Sequence, residues 1–80
     1  MLKGKIAYLD EIHKHFGSGI IVDENGRKYI FRMGLFAGLI DKEGIKHYGE
    51  INPDDLNINA LVYFEPPKNG TMVKEVWLIV

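Results

Sequence analysis

Short runs of apolar residues recur along the chain, and residues typical of turns (Gly, Pro, Asn and Asp) separate them. The runs are rich in β-branched and aromatic residues and are too short for stable helices, so they predict β-strands. The predicted strands are Leu2–Leu9, Ser18–Asp23, Lys28–Met33, Ala60–Glu65 and Met72–Ile79.

Two turns join neighbouring strands. Asn25-Gly26 predicts a tight hairpin turn between the second and third strands, because both residue types tolerate positive φ. Pro66–Gly70 (PPKNG) predicts a stiff turn between the fourth and fifth strands. The polar segment Asp10–His15 is expected to be a loop.

The connection between the third and fourth strands, residues 34–59, has no strong hydrophobic period. It contains the apolar segment Gly34–Gly38 (GLFAG) and a predicted helical turn at Asn52–Asp55. In that turn Asn is the cap, Pro comes first and the acidic residues lie near the positive helix end.

Five short strands, three of them consecutive, predict a small closed sheet, because closure removes exposed edges and concentrates the apolar side chains inside. We expect one all-β domain over residues 1–80. Its predicted architecture is a five-stranded antiparallel barrel of the OB-fold type with a long connection between strands three and four. A barrel of the SH3 type is the main alternative.

Composition narrows the function classes. The chain has no Cys, which excludes disulfides, thiolate metal sites and thiol nucleophiles. His13 and His15 lack a third ligand at metal-site spacing, and no nucleophile, acid and base form a known catalytic pattern. We therefore expect no enzyme activity, no catalytic residues, no cofactor and no metal.

Neither an apolar run long enough to cross a bilayer nor a signal-peptide core is present, so we expect a cytoplasmic protein with no membrane contact. The net charge is −1, but it is unevenly distributed. Residues 1–33 carry six basic and four acidic residues, a net +2, whereas residues 34–80 carry four basic and seven acidic residues, a net −3. The first half therefore has the charge that a polyanion would favour.

Four segments of the chain resemble the bacterial cold-shock domain family. The first strand, MLKGKIAYLD, is similar to the family's G-K-V-K-W-F-N, and FGSGII is similar to its K-G-F-G-F-I motif, with Gly17 and Gly19 in place. YIFRM resembles the family's V-F-V-H-F, and LVYFEPPKNGTMVKEVWLI resembles its closing hairpin. The resemblance implies an OB-fold that binds single-stranded nucleic acid without catalysis.

In that family, outward aromatic residues on the first three strands stack on bases. The family's Trp corresponds to Tyr8, which is the only one of these positions that keeps a ring. The Lys before the family's Trp corresponds to Ala7, and the Phe after it corresponds to Leu9. The remaining stacking positions are Ser18, Ile20, Ile30, Arg32 and Met33.

Other residues are expected to compensate in part for the lost rings. His15 and Phe16 supply rings in the loop before the second strand, and cations hold the backbone. Because stacking contributes roughly 1–3 kcal/mol per base, we expect weak, salt-sensitive binding to RNA or DNA. The predicted nucleic-acid-binding residues are Lys5, Tyr8, Lys14, His15, Phe16, Ser18, Ile20, Lys28, Ile30, Arg32 and Met33.

The display of these residues depends on the strand register, because a slip of one residue reverses the two faces. In the favoured register Tyr29 and Phe31 face the core, with Ile30 and Arg32 outside. A bulge would instead display Tyr29, Phe31 and Met33 and would bury Arg32, which is costly without a partner.

Gly17 and Gly19 have two interpretations. They permit either the close approach of a nucleic-acid backbone or a bend in a closing barrel.

The last strand carries apolar residues on both faces. Val76 and Ile79 fit the family's core positions, so Trp77 and Leu78 need cover from the long connection, a second domain or a partner protein. The alternative function is thus a protein-interaction or dimerisation module, with Ile20, Ile30 and Met33 as its apolar patch.

Overall fold

The computed structural model of the chain describes residues 1–10, 17–49 and 51–80. In these residues the chain forms seven strands and two single-turn 3-10 helices, Met33–Leu35 and Pro53–Asp55. None of the helices in the described residues is long and apolar enough to cross a membrane. The strands are β1 (Leu2–Leu9), β2 (Ser18–Asp23), β3 (Lys28–Arg32), β4 (Phe36–Ile40), β5 (Lys46–Tyr48), β6 (Leu61–Phe64) and β7 (Val76–Ile79).

The all-β class is confirmed, and β1 and β2 have the predicted bounds. The third strand ends at Arg32 rather than Met33, because Met33 begins a 3-10 turn and packs against the core. The predicted helical turn is present, with the Asn52 side chain accepting a hydrogen bond from the Asp54 N–H at 3.0 Å. The fourth and fifth predicted strands correspond to β6 and β7, and both are shorter than expected.

The expected number of five strands is wrong, because the long connection contains β4 and β5. β4 lacks a regular alternation of apolar and polar residues, and all three residues of β5 are exposed. A polar edge strand leaves no hydrophobic period in the sequence, so the pattern that identifies a half-buried strand was absent.

The strands form one sheet in the order β3-β2-β1-β6-β7-β4-β5. Neighbouring strands are antiparallel except β4 and β7, which pair in parallel. One isolated parallel bridge joins Ile30 on β3 to Met72, before β7. The Ile30 N–H donates to the Thr71 carbonyl at 2.7 Å, and the Val73 N–H donates to the Ile30 carbonyl at 2.9 Å. The sheet is not closed, so the OB-fold barrel stays a prediction.

The core lies against one face of the sheet, which we call the inner face; the opposite face is the outer face. Tyr29 and Phe31 are buried on the inner face, whereas Ile30 and Arg32 are exposed, which confirms the favoured register. Tyr29 packs on Phe64 with ring centroids 4.9 Å apart. The core residues are Ile6, Ile21, Tyr29, Phe31, Leu56, Val62, Phe64, Val73, Val76 and Leu78.

The turn between β2 and β3 is built around Asp23. Its Oδ1 accepts hydrogen bonds from the Asn25 and Arg27 N–H groups, both at 2.9 Å, and its Oδ2 accepts one from the Tyr29 hydroxyl at 3.2 Å. Burial raises the pKa of Tyr29, against the lowering effect of the nearby Arg27 charge. Gly26 has a φ of 84°, but Asn25 does not have positive φ, so only the glycine uses that conformational freedom.

Trp77 lies outside the core cluster and is nevertheless completely buried. Tyr48 packs edge-on against its ring, and the Lys46 Nζ lies 4.9 Å from the ring centroid. Residues of the long connection therefore cover Trp77, which is one of the three possibilities that the sequence left open. The expectation that Ile79 joins Val76 in the core is wrong. Side chains alternate along β7, so Val76 and Leu78 face the core, whereas Ile79 lies outside the core cluster and is half-buried.

Candidate nucleic-acid interface

A β-bulge in β1 determines where Tyr8 points. Ile6 is opposite Ile21, and Tyr8 is opposite Ile20, so Ala7 is an extra residue without a partner. Without it, Tyr8 would share the inner face with Ile6, because side chains alternate along a strand. The bulge turns the Tyr8 ring to the outer face, where the side chain is 54% exposed.

Tyr8 begins a row of side chains that crosses the outer face, which we call the β1–β3 row. Tyr8 pairs with Ile20, Ile20 pairs with Ile30, and the isolated bridge pairs Ile30 with Met72. Paired residues on neighbouring strands present their side chains on the same face. Ile20 is half-buried and the other three are exposed, so the row is an accessible apolar strip with one aromatic ring.

Cations lie on both sides of this row. On one side, Lys5 pairs with Val22, which pairs with Lys28. On the other side, Arg32 pairs with Ser18. With Lys3, the outward positions of β1, β2 and β3 carry four cations and no carboxylate, although the chain as a whole has a net charge of −1. This part of the surface is therefore locally positive.

A shallow depression of about 220 Å³ lies beside these cations, between β1, β2 and β6. Lys3 and Lys5 form one wall, and Val22 and Leu61 provide apolar surface. Asp23 and Glu24, at the start of the hairpin turn, line its rim with carboxylates. The positive surface thus ends at the β2–β3 turn.

The structure brings together most of the residues that the sequence singled out. Met33 does not join the β1–β3 row, because it packs toward the core from its 3-10 turn. Lys14, His15 and Phe16 lie outside the described residues. The residues assembled on the outer face are Lys5, Tyr8, Ser18, Ile20, Lys28, Ile30 and Arg32.

Two contributors were missed by sequence reasoning. Met72 joins the β1–β3 row through a single bridge between distant segments, for which no local pattern exists. Lys3 was visible as an outward position of the first strand, two residues before Lys5, and the alternation along β1 would have identified it.

The described residues offer little to a metal ion. No group of three or more His, Asp or Glu side chains among them could hold one. Asp41 and His47 form a pair on the β4–β5 hairpin, with Asp41 Oδ2 and His47 Nε2 2.7 Å apart. The pKa of Asp41 lies below its ordinary value. The hydrogen bond from His47 is the main cause, and the hydrogen bond from the Ile45 N–H is the second.

In comparisons with known proteins, no family model matches the chain, and no curated protein or solved structure matches it either.

Proposed function

We propose that this chain is a non-catalytic, cytoplasmic module that binds single-stranded RNA or DNA and is related to cold-shock domains. The observation that carries the proposal is the β1–β3 row with Lys5 and Lys28 on one side and Arg32 on the other. An apolar strip bordered by the cations of Lys5, Lys28 and Arg32 suits a polymer with apolar base faces and a negatively charged backbone.

The strand order supports the related proposal of an OB-fold. The β1–β2–β3 meander, the antiparallel pairing of β1 with β6 and the β6–β7 hairpin supply five antiparallel strands of such a barrel. The bridge between Ile30 and Met72 lies where this barrel would close. On this proposal β4 and β5 are an addition at the edge of β7.

The residue types of the row determine the expected strength of binding. Tyr8 offers one stacking ring, worth roughly 1–3 kcal/mol, whereas Ile20 and Ile30 offer only apolar contact. The guanidinium of Arg32 stacks on a base or bonds to a phosphate. Binding is therefore weak and depends strongly on salt.

The test is a fluorescence titration with labelled oligo-dT and oligo-U at low salt. We expect binding whose affinity falls with salt at a log–log slope of about −2 or steeper, since the phosphates neutralised by Lys5, Lys28 and Arg32 alone contribute roughly −0.7 each. Arg32→Ala should weaken binding and make the slope shallower by about 0.7. The exposed Lys42, in the β4–β5 turn, provides a charge-matched control, since Lys42→Ala should leave binding unchanged. Absence of binding at low salt would reject the proposal.

A second candidate function is protein interaction, and the composition of the row favours it. Three of its four residues, Ile20, Ile30 and Met72, are aliphatic or thioether side chains, which suit an interface with another protein. Under this alternative, Arg32→Ala has no effect on oligonucleotide binding. Ile30→Lys then shifts the mass measured by light scattering from that of a dimer to that of a monomer.

A further inference from the structure

The aromatic residues missing from the β1–β3 row have counterparts on the other half of the outer face. Lys3 pairs with Tyr63, and Tyr63 pairs with Trp77. Trp77 pairs with Gly38, which pairs with Tyr48. These pairs place three aromatic residues and one Lys in a second row across β5, β4, β7, β6 and β1, which we call the β4–β7 row.

Trp77 lies beneath Tyr48 in the β4–β7 row and is not accessible to a ligand. The ring is completely buried, and its Nε1 donates a hydrogen bond to Glu75 Oε1 at 2.7 Å. Tyr48 meets it edge-on, with ring centroids 4.9 Å apart and planes at 80°. Tyr48 is itself 78% exposed, so its ring is held from below and remains accessible from solvent.

Gly38 brings the β5 strand close to this support. A Cβ atom at this position would lie 1.9 Å from the His47 carbonyl oxygen, so no other residue fits without moving the hairpin. The glycine therefore fixes the position of the exposed ring.

Two cations lie along the β4–β7 row. Lys46 holds its Nζ above the Trp77 ring, 4.9 Å from the centroid, and Lys3 ends the row on β1. Glu75 is the carboxylate beside Trp77, and one of its oxygens is engaged by the indole N–H. The combination of exposed aromatic surface and flanking cations is complementary to single-stranded nucleic acid.

We propose that Tyr48, Tyr63 and Lys46 form a second contact surface for the same single-stranded nucleic acid. This inference rests on the proposed function and extends its site. The two rows are continuous through β1, where Lys3 and Lys5 lie on the outer face between them. With neighbouring strands roughly 4.8 Å apart, the β4–β7 row adds about 19 Å of path along the sheet. A base stacks on Tyr48, and Lys46 and Lys3 hold phosphates.

Trp77 provides the readout, because it is the only Trp in the chain and lies on β7, away from the β1–β3 row. The experiment follows Trp77 emission and the anisotropy of a labelled oligo-dT in the same titration. We expect the two signals to change together. Binding by anisotropy with unchanged Trp77 emission would overturn this inference and leave the proposed function standing. No binding by either signal would overturn both.

Variants test the same surface independently of Trp77. Tyr48→Ala should weaken oligo-dT binding by about 5-fold or more, the lower limit for one stacked base. Its control is Ile45→Ala, another exposed residue of the same hairpin, which should bind like the unmodified protein. Equal affinities for these two variants would overturn the inference.

The charge is tested with Lys46→Gln, which retains most of the stem over Trp77. This variant should make the salt dependence shallower by about 0.7, whereas Lys42→Gln on the adjacent turn should not change it. Identical salt slopes for the two variants would contradict a phosphate contact at Lys46.

Discussion

Gly19 and Ala7 determine how the side chains of β1 and β2 are arranged. A Cβ atom on Gly19 would lie 2.4 Å from both the Phe31 ring and the Tyr8 carbonyl oxygen. The glycine is thus required by packing between neighbouring strands. Ala7 is the unpaired residue of the bulge that turns Tyr8 outward.

Replacing Gly19 should therefore destabilise the fold. We expect Gly19→Ala to lower the free energy of unfolding by about 1–3 kcal/mol, because the added methyl group forces Phe31 or the β1 backbone to move. Gly34→Ala is the control, since a Cβ atom there meets nothing within 4 Å and should change stability by less than about 0.5 kcal/mol. Urea unfolding of the two variants measures the difference, and equal midpoints would contradict the packing role of Gly19.

At the residue scale, the sequence predicted which face of the sheet a side chain occupies only where the strand is regular. The alternation of Tyr29, Ile30, Phe31 and Arg32 was readable because β3 is regular. The direction of Tyr8 was not readable from alternation, because a bulge is a property of the paired strand and leaves no period in the sequence.

At the scale of elements, the β4–β5 hairpin is the part that sequence patterns did not reveal. Its turn is organised by Asp41, whose Oδ1 accepts hydrogen bonds from the Glu43 and Ile45 N–H groups. Its Oδ2 pairs with His47. These contacts stabilise the polar strand β5. Its Tyr48 packs on Trp77, which belongs to β7 and is far away in the sequence. Strands β1 and β2 were predicted with their bounds because their β-branched and aromatic residues lie between turn and loop residues.

The Asp41 carboxylate should make the hairpin sensitive to acid. Its pKa in the fold lies below the ordinary value of 3.8, chiefly because of the hydrogen bond from His47. A carboxyl group with a lowered pKa contributes stability that is fully present above its unfolded pKa and is lost as the pH falls through the folded pKa. This contribution should therefore begin to fall below about pH 4 and be lost at still lower pH.

Asp41→Asn isolates the effect, because an amide oxygen retains the turn's acceptor while the charge is removed. We expect the melting temperature of the unmodified protein to exceed that of the variant at pH 6 and the gap to narrow by pH 2.5. Thermal melting followed by circular dichroism measures it. A gap independent of pH would contradict a role for the charged pair.

At the scale of the whole molecule, the sheet separates apolar packing on its inner face from a cationic and partly aromatic outer face. The inner face was largely predictable, because burial imposes a period on each strand. The outer face was predictable only in part, because its rows also join residues such as Tyr8 and Met72, or Lys3 and Tyr48, that are far apart in the chain. Their alignment follows from the strand order, which single-strand patterns do not contain.

An NMR titration of the ¹⁵N-labelled protein with short oligo-dT tests the central proposal most directly. We expect the largest shifts at Tyr8, Ile20, Ile30 and Arg32, with small shifts at the exposed Ile58, which lies outside both rows. No shifts at low salt, or shifts spread evenly over the surface, would contradict nucleic-acid binding on the outer face of β1, β2 and β3.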